Sequence, residues 1–284
     1  MPKAPPRPKR APMAGSARQT SHVVSEIDDA DPDFVSAVGR SFAILRCFRQ
    51  HAKVLGNKDL SLLTGLPKST IARLTYTLTK LGYLEFLAAT QKYVLGIGAL
   101  TLGQSYLSGL DVREVARPLM QELADAAGAT VVLGAPHGQD MVFLEICHGN
   151  PVFMMRVAIG QRVPHGMTAL GRAYIAALPP AERERYARDY RRRVPPAEWS
   201  RLEAIGQQSI TDHAQHGFCF SLGDWSDEVF AAGVPMVSGD GSKILAFSCS
   251  GPVHAMTRER LLNDIGPRLI ALRDRVSATL GGVF

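Results

Sequence analysis

Lys68, Ser69, Thr70, Arg73, Tyr76, Thr77 and Lys80 fall on one side of a segment whose apolar residues Ile71, Leu74, Leu78 and Leu81 repeat at steps of three, four and three. That spacing predicts a helix with one buried stripe and one polar face. The polar face holds hydroxyls and lysines that bond phosphate oxygens, and an arginine able to grip a guanine edge with two parallel bonds. It carries no acid. Arg40, Lys58 and Lys92 complete this candidate set of DNA contacts. Charge alone leaves a merely solvated basic face equally open.

Two other groupings could do chemistry. His213, His216 and Cys219 have a metal-like HxxHxxC spacing, against which stands an exposed helix end, because Cys219 begins a strand. Cys219 or Cys249 with His165 is the one cysteine-nucleophile arrangement worth naming, and no activating third group accompanies it. Cys249 alternates with Ser248 and Ser250 in a strand, so it points into the opposite layer. No phosphate-binding glycine loop, zinc-protease motif or nucleophile elbow stands in a supporting context. No cofactor is expected.

The polar helix needs a scaffold. Val38, Phe42, Leu45 and Phe48 predict a first helix over roughly 35–50. Asn57 as N-cap, Leu60 and Leu63 inward and Gly65 as the stop predict a short second one, and Pro67 suits the first turn of the third. Tyr83–Leu87 and Tyr93–Leu95 flank a turn as the strands of a wing would. Helix, helix, turn, helix, wing lays its third helix in the major groove of double-stranded DNA.

Charge supports this division. Of the net +6 of the 284-residue chain, residues 40–95 supply +7, from nine bases against Asp59 and Glu85, whereas 96–284 supply −1. Residues 1–22 hold five bases and no acid, and 23–39 five acids and no base. Six prolines among the first 32 residues predict a disordered tail over 1–33. Such a compact basic unit suits a polyanion, through counterion release. The four cysteines lie far apart, which favours reduced thiols and a cytoplasmic location over a disulfide scaffold. No apolar run is long enough to span a bilayer.

Beyond the wing, 97–112 reads as a connecting helix broken at Gly109 and Asp111, and Val112, Val115, Leu119 and Leu123 continue a second stretch to Gly128. TVVLGAP, DMVFLEIC, PVFMMRVA, FCFSL and KILAFSCS then read as strands, and 169–178, 180–192, 197–216 and 257–280 as helices. Grouped strands without strict alternation predict an α+β domain over 113–282, a mainly antiparallel sheet flanked by helices.

The segments VGRSFAILRCF, LSLLTGLPKSTIARLTYTLTKLGYLE and YVLGIGALTLG resemble the IclR family of bacterial transcriptional regulators, and QRVPHGMTALGRAYIAAL, HGFCFSLGDWSDEVFAAGVPMV and LAFSCSGP extend the likeness. The resemblance implies a winged helix-turn-helix domain over 34–96, a linker helix over 97–112 that contributes to subunit pairing, and a GAF-like effector domain. It implies a homodimer or homotetramer on a pseudo-palindromic operator, modulated by a small organic or aromatic acid. By position, the pocket falls on Val152, Met155 and Val163, on Ala169 and Leu170 at a helix start, and on Ser221, Ala231, Ser248 and Ser250. Relatives that bind very small acids carry an acidic residue and small residues where this chain has Ser221 and Leu170, which implies a different ligand. Arg156 and Arg162 stand near the pocket wall, where a surface position competes with a role in pairing an acid. The family's wing turn usually carries Gly or Asp, whereas this one reads Ala88, Ala89, Thr90, Gln91. Two competing readings stay open: a ligand-independent DNA-binding protein, and an enzyme using Cys219 or Cys249.

Overall fold

The computed structural model describes residues 31–48, 52–149 and 157–284. Most of the expected tail, and Val152, Met155 and Arg156, lie outside the described residues. The chain divides into two compact units, the first ending at Tyr106 and the second running from Leu107 to Phe284.

In the first unit, α1 (Ser36–Arg46), α2 (Asn57–Thr64) and α3 (Lys68–Lys80) precede a hairpin of β1 (Leu84–Leu87) and β2 (Lys92–Leu95). Helix α2 begins at Asn57, one residue before the expected start, because Gly56 is the cap and its N–H donates to Asp59. It stops where Gly65 takes a left-handed conformation (φ 67°) that side-chain-bearing residues avoid. The core gathers Ile44, Leu60, Ile71, Leu78 and Leu84.

Two expected stripes need correction. In α1 the buried residues are Ala43 and Ile44, followed by Cys47 and Phe48, while Val38 and Phe42 are exposed. Both rows fit the helical period, and α2 and α3 cover only one of them. In α3 Leu81 lies beyond the helix end and is 62% exposed, Leu74 is half-buried, and Thr75 is buried instead. Thr75 can be buried because its hydroxyl donates to the Ile71 carbonyl (2.9 Å) and meets the Tyr93 hydroxyl (3.3 Å), tying α3 to the hairpin.

Helix α4 (Ile97–Ser108) buries none of its residues and exposes Ile97, Leu100, Leu102 and Tyr106. Helix α5 (Asp111–Ala127) belongs to the second unit. Its Arg113 and Arg117 converge on Glu145, whose side chain is 2% exposed, at 2.8 and 2.6 Å. Arg113 also donates to the Leu107 carbonyl.

The second unit is built on a six-stranded antiparallel sheet of order β5-β4-β3-β8-β7-β6: β3 (Thr130–His137), β4 (Asp140–His148), β5 (Arg162–Pro164), β6 (Cys219–Leu222), β7 (Val229–Val237) and β8 (Ile244–Pro252). One face carries Val131, Leu133, Val234, Phe247 and Cys249 against α5 and the C-terminal helix α10 (Gly266–Thr279). The other carries Val132, Met141, Phe143 and Ala246 against α6 (Ala169–Ala177), with α8 (Pro196–His216) behind it and α7 (Pro180–Arg191) preceding α8. The α+β architecture is as expected.

Strands β5 and β7 were not anticipated, and in the expected strand over 151–158 residues 157 and 158 are not in a strand, the remainder lying outside the described residues. Strand β7 runs between β6 and β8 with Ala231–Met236 buried, so it lacks the alternation that marks a half-exposed strand. The expected helix over 257–280 is interrupted: after a short α9 (Arg258–Arg260), Leu261–Ile265 is a π-helical turn. Gly266 and then Pro267, which has no N–H to donate, follow it at the start of α10.

Candidate functional site

In the first unit the sequence-predicted polar residues share the solvent side of α3. Lys68, Ser69, Arg73, Tyr76, Thr77 and Lys80 are exposed and Thr70 is half-buried. The ammonium of Lys80 stands over the Tyr76 ring, 5.6 Å from its centroid, which orients both side chains outward. Lys58 on α2 and Lys92 on β2 are exposed, whereas Arg40 is half-buried on α1 and already engaged within the protein. In the hairpin turn Gln91 takes φ 56°, the conformation glycine favours, and its side-chain amide donates to the Ala88 carbonyl. Thr77 turns back to the Arg73 carbonyl (3.1 Å), while Arg73 extends from a helix fixed by Ile71, Thr75 and Leu78.

In the second unit, seven of the nine expected pocket residues border one cavity between the sheet and the N-terminus of α6, with about 450 Å³ of atom-free space counting its open mouth. The strand register explains the gathering. Ser221 pairs with Ala231, Ala231 with Ser250, and Ser248 with Val132, so these residues stand on neighbouring strands of one face. Ala169 and Leu170 open α6, and Val163 enters from β5. The first turn of α6 sits so close to β7 that a β-carbon on Gly233 would collide with the Ala169 carbonyl, which is why β7 carries glycine there.

The polar groups of the cavity differ in their freedom. The Ser221 hydroxyl donates to the Met167 carbonyl (3.0 Å) and that of Ser250 to the Thr130 carbonyl (3.4 Å). Ser248, 7% exposed, has no hydrogen-bond partner among the described residues. Thr168 caps α6 by accepting from the Gly171 N–H (3.2 Å), while the N–H groups of Ala169 and Leu170 lie in the first turn, where no intrahelical acceptor exists.

Five cavity residues were missed by sequence reasoning: Val132, Phe143, Thr168, Trp225 and Val229. Thr168 was findable as the cap just before a predicted helix. The others depend on strand register or on the β6–β7 loop. Arg162 pairs with Asp140 at 2.9 Å on a partly exposed surface, outside the cavity.

The remaining groupings are not assembled for chemistry. The Cys219 thiol donates to the Ser209 carbonyl (3.2 Å), and burial pushes both Cys219 and Cys249 up to about 12, far from the thiolate a nucleophile requires. His165, completely buried, packs on Tyr174 and Tyr186, with Nδ1 3.1 Å from the Tyr186 hydroxyl. Burial pushes its imidazole down to about 4. His216 packs on Phe218 and Phe220. Among the described residues no group of three His, Cys, Asp or Glu is placed to hold a metal, and no helix is long and apolar enough to cross a membrane.

Comparison with known proteins agrees with both units. Residues 37–88 match the IclR helix-turn-helix domain, and 104–278 match the family described as bacterial transcriptional regulator IclR C-terminal. The HTH-type transcriptional regulator TsaQ1/TsaQ2 of Comamonas testosteroni is 29% identical over 257 residues, 90% of this chain and 92% of its own. The crystal structure of an IclR family transcriptional regulator from Brucella abortus is 39% identical, covers 89% of this chain and 96% of its own, and superposes with a TM-score of 0.81. An IclR homologue from Microbacterium hydrocarbonoxydans, crystallised with 4-hydroxybenzoate, shares the fold at 20% identity, with a TM-score of 0.69 over 87% of this chain and 99% of its own. A helix-turn-helix unit with a basic outward face, followed by the matching C-terminal domain, makes this chain a member of the IclR family, a DNA-binding transcriptional regulator.

Proposed function

We propose that this regulator is a ligand-responsive one: residues 34–96 bind operator DNA, 97–112 form the linker, and a small organic or aromatic acid held in the 113–282 domain alters operator affinity. The observation that carries the reading is the cavity at the start of α6, where residues far apart in sequence enclose an apolar space around one free hydroxyl and unpaired helix N–H groups. Those N–H groups and Ser248 suit a carboxylate, and the walls suit its hydrocarbon part. Lys68, Ser69, Thr70, Arg73, Tyr76 and Thr77 read the major groove, while Lys58, Lys80 and Lys92 hold phosphates. Arg40, already engaged, contributes least.

The exposed apolar residues of α1 and α4, Val38, Phe42, Ile97, Leu100 and Tyr106 among them, support association of subunits. Two copies would present two α3 helices to half-sites a helical turn or a multiple apart, hence a pseudo-palindromic operator. The acid switches binding only by fitting one subunit arrangement better than another. The thiol environments disfavour the cysteine-enzyme reading, and a cytoplasmic location follows from work on DNA.

The test is fluorescence anisotropy of the full-length protein on labelled DNA from upstream of its own gene, with random DNA as competitor, at several salt concentrations and with 4-hydroxybenzoate and other small acids. Sequence-preferring binding that an acid changes is expected. Sequence-preferring binding that no acid changes supports the ligand-independent reading instead.

A further inference from the structure

The walls of the α6 cavity contain two large rings from opposite sides of the domain. Phe143 comes from β4, and Trp225 from the loop between β6 and β7. Every other described lining side chain is aliphatic or a hydroxyl, and none is charged. Among the described residues, a ligand's charge is therefore met by Ser248 and the α6 N–H groups, and the other lining side chains offer it apolar contact.

Trp225 borders the cavity and is 37% exposed, yet its loop is tightly held. The neighbouring Asp224 pairs with Arg172 of α6 at 2.9 Å and accepts the Leu222 N–H (3.3 Å). Arg172 is itself buried and donates to the carbonyls of Gly166, in the turn before α6, and Phe220 on β6. The far end of the loop is tied by the Val229 N–H to the Ser226 carbonyl. One guanidinium thus links the start of α6, strand β6 and the loop that carries the indole.

We infer that Trp225, positioned by the Arg172–Asp224 pair, is the specificity-determining residue of this pocket and selects a flat aromatic ring over a saturated acid of equal size and charge. The inference rests on the effector reading above. An aromatic ring laid beside an indole gains from offset or edge-to-face contact in addition to the area it buries. A puckered saturated ring buries similar area without that gain. Arg172 and Asp224 do not touch the ligand; they hold the ring where the ligand meets it.

The chain has two tryptophans, Trp199 and Trp225, so full-length Trp199→Phe reports on Trp225 alone. Benzoate and cyclohexanecarboxylate are titrated into it, with affinities from calorimetry and indole emission as a second signal. Benzoate is expected to bind about three- to tenfold tighter than cyclohexanecarboxylate and to shift Trp225 emission. Trp225→Phe should keep most of that preference and Trp225→Leu abolish it, with cyclohexanecarboxylate affinity changed little. Equal affinities, or a preference that survives Trp225→Leu, overturn the inference while leaving the effector reading intact. Absence of heat and emission change with benzoate overturns the inference, since a pocket that selects flat aromatic acids must take up benzoate, while the effector reading itself stands or falls by the operator-binding test with the wider set of acids.

Discussion

Helices α3 and α6 each border a proposed contact surface, and they hold it in opposite ways. Of thirteen residues α3 buries Ile71, Thr75 and Leu78, whereas α6 buries seven of nine, Arg172 included. The face of α3 is built by what points away from the core, so its contacts can change without disturbing the packing. The pocket end of α6 is set by packing on every side: β7 approaches at Gly233, a β-carbon at Gly134 would stand 2.7 Å from the Leu170 side chain, and Arg172 reaches back to Gly166. Substitutions on α3 should therefore change DNA binding and spare stability, while substitutions in α6 should reduce stability first.

The sharpest test of that contrast is Arg172→Ala. It removes the nearer of the two arginines that pair with Asp224, leaving Arg201 at 3.7 Å, and leaves the Gly166 and Phe220 carbonyls without this donor, so a loss of about 3 kcal/mol is expected. For a domain of this size that lowers the melting temperature by roughly 6 to 12 °C, measurable by calorimetry. A melting temperature within about 1 °C of the wild type would mean that α6 is held no more tightly than α3.

Acid provides a second test. His165 beside α6 is neutral in the folded domain, its imidazole pushed by burial from 6.5 to about 4, with no hydrogen-bond partner for Nε2 among the described residues. Between those values the unfolded chain binds the proton and the folded domain does not, so stability rises with pH across that window. Its contribution is complete above pH 6.5 and falls away as pH drops towards 4, by at most about 3 kcal/mol. His165→Phe keeps a ring against Tyr174 and Tyr186 and should flatten this slope in denaturant midpoints measured from pH 7 to 4. Parallel slopes for both proteins would assign the acid sensitivity to another group.

The same contrast decides what could be read in advance. The outward face of α3 was legible because exposure and polarity coincide on an amphipathic helix. Thr75 was not, since its burial depends on the Tyr93 hydroxyl of the wing. Val38 and Phe42 misled because periodicity says that a row is apolar, not whether another element covers it. In the second domain the seven cavity residues were reached through family resemblance, because strand alternation alone does not separate a pocket wall from core. Phe143 and Trp225 needed the register of six strands and the course of a loop. Strand β7 escaped notice because its run of small and apolar residues never alternates.

On the α3 side the predicted effects are smaller and confined to DNA. Arg73→Ala removes an exposed side chain that no core residue needs, so the melting temperature should stay essentially unchanged. Operator affinity should fall by about 1 to 3 kcal/mol and selectivity relax at one base pair. Equal losses on operator and random DNA would move Arg73 from base reading to phosphate contact.

Lys80 is the weakest case and the most diagnostic. Its ammonium lies over Tyr76 in the last turn of α3, past the N-terminal residues best placed for base edges. A phosphate contact there releases about one counterion, so Lys80→Ala should weaken operator and random DNA alike and shallow the log–log salt slope by about one unit. Because the lysine also covers the Tyr76 ring, Tyr76→Phe separates the two effects: the ring and its cation contact remain, and the salt slope should not move. A salt slope unchanged in Lys80→Ala, with affinity reduced on the operator only, would show that Lys80 acts by orienting Tyr76 towards a base rather than by meeting a phosphate.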